Sequence, residues 1–159
     1  MLARVLFVCT GNICRSPTAE GVFRRMVADA GLAGAIEAES AATHNYHPGE
    51  APDPRACQLA RARGYDLDSL RARPVVAGDF DRFDLMLAMD RGHFRLLERR
   101  RPPNARSRVR MLLDYAPDMG VSEVPDPYYG EEGDFRHALE LIEAGAQGLL
   151  AALRAEHGL

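Results

Sequence analysis

A β-branched and aromatic run, Arg4–Val8 (RVLFV), stops at Cys9-Thr10-Gly11-Asn12 and gives way, past Arg15-Ser16-Pro17, to apolar residues at helical spacing. Such a run, closed by turn-forming residues, is the pattern of a buried strand entering a tight loop. Ala19, Val22, Phe23, Met26, Val27 and Ala30 then mark one helical face. Ser16 is placed to cap that helix, Pro17 to open it and Gly31 to end it. A second strand is predicted at Ile36–Ala41, followed by the loop Thr43–Pro52 and a helix from Asp53-Pro54 to Gly64. The alternation continues with a strand at Asp84–Met89 (DLMLAM), an arginine-rich helix over Arg91–Arg100 and a fourth strand at Arg110–Leu113. After the loop Tyr115–Gly133, Phe135, Ala138, Leu139, Ile142, Leu149, Leu150 and Leu153 line one face of a long last helix. Strands separated by helices predict an α/β fold of three layers, a parallel sheet with helices on both faces. At 159 residues and 47% hydrophobic content, one domain over 1–159 with a single core is expected. In such sheets ligands bind beyond the carboxyl ends of the strands, which directs attention to the loop after the first.

Composition removes several functions. All twenty basic residues are arginine, so a lysine-bearing nucleotide loop and every lysine-nucleophile mechanism are excluded. A net charge of -3 gives no reason to expect nucleic acid as a partner, and the arginines from Arg95 to Arg110 lack interleaved aromatics and fit a solvated face. The cysteines are Cys9, Cys14 and Cys57, an odd and sparse set that fits a reducing compartment better than a disulfide scaffold. The apolar stretch at the N-terminus is too short for a signal peptide or a membrane span, so a cytoplasmic protein without membrane insertion is expected. His44 and His47 sit three apart, but no cysteine or carboxylate completes a metal set, and they are taken for loop residues.

The loop Cys9-Thr10-Gly11-Asn12-Ile13-Cys14-Arg15-Ser16 carries the chemistry. A short loop wrapped around one centre aims backbone N–H groups inward, and the helix start behind it adds partial positive charge, which makes a cradle for a dianion. Gly11 is expected to supply a backbone conformation closed to other residues, and the Asn12 side chain to hold the loop. Arg15 offers a planar fork to two phosphate oxygens. The field that binds phosphate also favours a thiolate, making Cys9 a nucleophile that Ser16 can hydrogen-bond. Turnover further needs a proton donor. Val124-Pro125-Asp126-Pro127-Tyr128-Tyr129-Gly130 is a stiff loop with a carboxylate between two prolines. From its residues alone Asp126 is either a turn former or the general acid, and Cys14 either packs beneath the loop or takes part in chemistry.

Cys9–Pro17 (CTGNICRSP), Ser40-Ala41-Ala42 and Asp126–Gly130 (DPYYG) resemble the low-molecular-weight protein tyrosine phosphatases, in order along nearly the whole chain. The resemblance implies a four-stranded parallel sheet and no metal or other cofactor. It implies Cys9 as nucleophile, Arg15 as phosphate binder and Asp126 as general acid, then base. Thr10, Gly11, Asn12, Ile13, Cys14 and Ser16 would form the phosphate loop with Ser40 as support, and Tyr46, Tyr128 and Tyr129 would line the groove for the substrate ring. It further implies a reversible Cys9–Cys14 disulfide, a phosphotyrosine-bearing protein as substrate and a bacterial-type tyrosine kinase as a partner. One departure stands out: relatives carry a histidine near Asp66–Arg73 where this chain has Leu70, which puts the support behind Asn12 in question.

Rival readings share parts of the pattern. Thioredoxin-linked arsenate reductases use this architecture but need a further cysteine pair, and only Cys57 remains. Protein arginine phosphatases also resemble the chain, with threonine where Ile13 stands. Outside catalysis, a flavodoxin-like carrier would need neither Cys9 nor Arg15, and a phosphate-binding module without turnover rests only on Leu70.

Overall fold

The computed structural model describes residues 1–159. Four parallel strands, β1 (Ala3–Cys9), β2 (Ile36–Ala42), β3 (Leu85–Ala88) and β4 (Arg108–Met111), form one sheet in the order β2-β1-β3-β4. Five helices connect or flank them: α1 (Arg15–Asp29), α2 (Pro54–Ala62), the short α3 (Asp79–Arg82), α4 (Arg91–Arg100) and α5 (Glu132–His157). The chain leaves β1 toward β2 on one side and later returns to β3 on the other. The crevice between the carboxyl ends of β1 and β3 is thus the switch point where such sheets hold ligands.

Alternation along the inner strands divides the core. Val5, Phe7 and Cys9 of β1 with Leu85 and Leu87 of β3 face α1 and α5, whose Val22, Phe23, Leu139, Ile142 and Leu149 complete a 24-residue cluster. Leu6 and Val8 face the other way, onto Phe80, Phe83, Met86 and Leu97 beneath α3 and α4, in an 11-residue cluster. Burial on both faces is why β3, and β1 from Val5 onward, read as unbroken apolar runs. The edge strand β4 instead alternates, with Val109 and Met111 buried and Arg108 and Arg110 exposed.

Boundaries differ from the sequence expectation in places with identifiable causes. Helix α1 starts at Arg15 with Cys14 at the cap position and no side-chain cap, so neither Ser16 nor Pro17 has its predicted role. The free N–H of Ser16 goes instead to the Cys9 sulfur, 3.4 Å away. Gly31, at φ 73°, follows the end of α1 as expected. The fourth strand lies two residues earlier than predicted. Leu112 and Leu113 form a 3-10 turn and pack into the α1/α5 cluster. Asp53 caps α2 by accepting from the Arg55 amide at 2.8 Å. No helix is long and apolar enough to cross a membrane.

Candidate active site

The β1–β2 ladder runs on past both strands, the amides of Thr43 and His44 donating to the carbonyls of Cys9 and Thr10 at 2.8 and 3.0 Å. This draws the 43–47 loop alongside the one after β1. The two loops and the Asp126 segment enclose a cleft of about 170 Å³ lined by Cys9, Thr10, Gly11, Ile13, Cys14, Arg15, Tyr46, His47, Asp126, Tyr128 and Tyr129. The proposed nucleophile, acid and ring-binding residues meet there with Arg15 and most of the proposed phosphate loop. Asn12, Ser16 and Ser40 lie behind the wall.

Asn12 is the one residue other than glycine with positive φ, 58°. The left-handed turn assigned to Gly11 from the sequence therefore falls at Asn12, a residue that tolerates it. Gly11 serves close approach instead, since a Cβ there would lie 2.9 Å from the His47 ring. Buried hydrogen bonds hold the Asn12 side chain. Its amide donates to Ser16 Oγ (2.7 Å) and Ser40 Oγ (2.9 Å), its carbonyl accepts from the Arg73 amide (3.1 Å), and Ser40 in turn donates to Glu20 Oε1 (2.6 Å). Asn12 is thus supported without a histidine at Leu70, by the Arg73 backbone on one side and the Ser40–Glu20 pair on the other. Burial raises the Glu20 pKa, against the Ser40 hydrogen bond and the Arg24 charge that favour the carboxylate. Because Ser16 already accepts from Asn12, its own hydrogen is free for the Cys9 sulfur, 3.0 Å away.

Arg15, 4% exposed, is held from the far side. Nη1 donates to Asp90 Oδ2 and to the Val124 carbonyl, both at 3.0 Å, and Nη2 lies 3.7 Å from Asp126 Oδ2. Asp90 also caps α4 by accepting from the His93 amide at 3.0 Å. Burial works against the Asp90 carboxylate, but this hydrogen bond, His93 and Arg15 outweigh it and hold its pKa below the ordinary range. The His93 ring reaches Thr10, Nε2 to Oγ1 at 2.8 Å, while Nδ1 lies 3.2 Å from Asp90 Oδ1, out of line for a hydrogen bond. Burial lowers the His93 pKa to about 4 despite the Asp90 charge, so the imidazole is neutral near pH 7.

The Asp126 segment is anchored at its start by the Val124 amide, which donates to the Met89 carbonyl at 2.8 Å. Asp126 Oδ1 then accepts from the Tyr128 amide at 3.1 Å, an Asx turn within the loop. Tyr128 and Tyr129 meet edge to face at 4.8 Å, and His44 stacks on Tyr46 at 5.0 Å. Tyr46 and Tyr129 are exposed at the mouth. Cys14 is buried, and burial, with Asp53 nearby, pushes its thiol pKa up.

Asp90, His93, Glu20 and Arg73 were not singled out from the sequence, and His47, taken there for a loop residue, is part of the wall. Asp90 carried a usable signal: it follows the end of β3 as Cys9 closes β1, and its neighbour His93 comes with it on α4.

A parallel sheet with a cysteine–arginine anion loop at its switch point, facing a carboxylate and a tyrosine pair, has the form of a phosphate-ester hydrolase. The family described as low molecular weight phosphotyrosine protein phosphatase matches residues 4–158. A low molecular weight protein-tyrosine-phosphatase of Streptomyces coelicolor is 49% identical over 157 residues, covering 97% of this chain and 95% of the relative. Among solved structures, a protein tyrosine phosphatase of Entamoeba histolytica with Hepes in its active site superposes with a TM-score of 0.91 at 36% identity, covering 98% of both chains. YfkJ of Bacillus subtilis does so with a TM-score of 0.91 at 40% identity, over 98% of this chain and 97% of the other. The chain belongs to the low molecular weight phosphotyrosine protein phosphatase family, and by that membership is a phosphatase.

Proposed function

We propose that residues 1–159 act as one phosphatase domain that hydrolyses protein phosphotyrosine through a phosphocysteine intermediate on Cys9. The observation that carries this reading is the Cys9 sulfur with two Ser16 donors, at 3.0 and 3.4 Å, in the same cleft as Arg15 and Asp126. As a thiolate, Cys9 attacks phosphorus in line while the bond to the tyrosyl oxygen breaks and Asp126 gives that oxygen its proton. Arg15 and the inward amides of the loop stabilise the equatorial oxygens. Asp126, now a carboxylate, takes a proton from the water that attacks phosphocysteine. Inorganic phosphate leaves and the thiolate is regenerated. The Ser16 donors favour sulfur as the second leaving group.

A phosphotyrosine-bearing protein follows as substrate, with a bacterial-type tyrosine kinase as the first partner to test, because relatives such as those from Streptomyces and Bacillus are bacterial. The cytoplasm is the compartment proposed. The cleft between Tyr46 on one side and Tyr128 and Tyr129 on the other suits a flat aryl group. The test is steady-state hydrolysis of matched phosphotyrosine, phosphoserine and phosphoarginine peptides, without added metal, by wild type and Cys9→Ser. Turnover of phosphotyrosine that disappears in the variant is expected. A preference for phosphoarginine would overturn the substrate assignment, and turnover that survives Cys9→Ser would overturn the mechanism.

A further inference from the structure

The proposed chemistry needs the loop bearing Cys9 and the segment bearing Asp126 to stay in register, although they are distant in sequence. Arg15 joins them inside the cleft. A second connection runs outside it, through the N-terminus of α2. The Asp53 amide donates to the carbonyl of Ile13 in the Cys9 loop at 2.8 Å. The Asp53 carboxylate is grasped by Arg55, Nε at 3.1 Å and Nη2 at 2.9 Å. Burial tends to raise the Asp53 pKa, but these bonds outweigh it and hold the carboxyl ionised below the ordinary range.

The same guanidinium then crosses to the Asp126 segment. Nη2 donates to the Tyr128 carbonyl at 2.9 Å and Nη1 reaches the Gly130 carbonyl at 3.5 Å. Its plane is held over the Phe135 ring at 4.5 Å, with Tyr128 at 5.8 Å. Tyr128 is also the residue whose amide binds Asp126 Oδ1. Asp126 itself is about half exposed, and its one charged contact is the 3.7 Å approach of Arg15. The Val124 amide and Arg15 hold the start of the segment, and Arg55 holds its end.

We propose that Arg55 is a positioning residue that fixes the general acid relative to the nucleophile, by tying the Tyr128 peptide to the Cys9 loop through Asp53. This rests on the phosphocysteine reading above. A planar fork spans the carboxylate and the carbonyl while its face lies on an aromatic ring, a geometry that the point charge of lysine reproduces poorly. A displaced acid impairs protonation of the leaving group and leaves attack by sulfur intact.

The experiment compares kcat/KM for phenyl phosphate, a poor leaving group, with that for 2,4-dinitrophenyl phosphate, which needs no acid. Arg55→Met is expected to lower the first about tenfold and the second by less than about twofold, since small misplacements of an acid are costly only where its proton is needed. Arg55→Lys should move the ratio in the same direction, and it carries the comparison if the methionine variant fails to fold. Adding Arg55→Met to Asp126→Ala should cause no further loss, as two residues acting through one proton are coupled. Equal losses on both substrates, no loss on either, or additive losses in the double variant would overturn the positioning role. A wild type without Cys9-dependent turnover would overturn the mechanism together with it, whereas Cys9-dependent turnover with a flat Arg55 response overturns the positioning role alone.

Discussion

His93 shows how one residue can serve the site without touching phosphate. It sits at the switch point with its ring on Thr10 and its backbone amide on Asp90, the residue that orients Arg15. Its pKa is lowered by burial to about 4, from an ordinary 6.5. Between those values the unfolded chain binds a proton that the folded one refuses. His93 therefore leaves stability intact above pH 6.5 and withdraws it as pH falls toward 4, by about 3 kcal/mol in all. Urea denaturation of wild type and His93→Gln at pH 7.5 and pH 4 should show the wild type losing more, by about that amount. Equal acid sensitivity would mean that the ring is protonated in the folded protein.

What the sequence made legible at this scale follows the distance between partners. The Cys9–Ser16 loop could be read because its parts are contiguous and its chemistry local. Proposing Asp126 as the acid needed the family resemblance, since a carboxylate between prolines is also an ordinary turn. Asp90 and His93 were legible only by their place after β3, and Arg55 not at all, because the partner of each lies across the fold on a residue remote in the chain. The exchange of roles between Gly11 and Asn12 was hidden for another reason: both residues favour loops, and only the His47 ring packed over Gly11 tells them apart.

Among the elements, α5 makes the most demanding contact. Its apolar face was plain from spacing, but two glycines on it pass against the turn Leu112–Tyr115 that follows β4. A Cβ on Gly145 would lie 2.7 Å from Leu112 Cγ, and one on Gly148 only 1.8 Å from the Tyr115 carbonyl oxygen. Backbone cannot yield as a side-chain tip can. Gly148→Ala should therefore destabilise by about 2–3 kcal/mol, overriding the roughly 1 kcal/mol by which alanine improves a helix. Gly133, in the first turn of α5, would meet nothing within 4 Å, so Gly133→Ala should stabilise by about 0.5–1 kcal/mol. Thermal melts of the two variants should move in opposite directions, and a shared direction would refute the packing argument. The same turn explains the misplaced fourth strand. Met111, Leu112 and Leu113 form one apolar run in sequence, yet Met111 lies in the α3/α4 cluster while both leucines lie in the α1/α5 cluster. The true strand begins among arginines that alternate outward at the sheet edge, a pattern periodicity shows only weakly over four residues.

The molecule as a whole has two apolar clusters divided by a sheet, and the site draws on both sides of that division. Arg15 opens α1 over the larger cluster, Asp90 caps α4 over the smaller one, and they meet at 3.0 Å. The arrangement exists only while both helical layers are docked, and the buried strands β1 and β3 supply side chains to both. Loss of either layer should therefore abolish the site and the remaining fold together. Leu149→Ala on α5 and Leu97→Ala on α4 remove fully buried side chains from opposite layers, each at a cost of about 2–5 kcal/mol. In both variants a single urea transition at a lower midpoint is expected, with the far-ultraviolet helix signal and phosphatase turnover lost at the same concentration. Turnover that faded well before the helix signal in Leu97→Ala would show the smaller layer separating first, with the Asp90 hold on Arg15 leaving with it. Coincident loss would tie the catalytic geometry to the global stability of the fold.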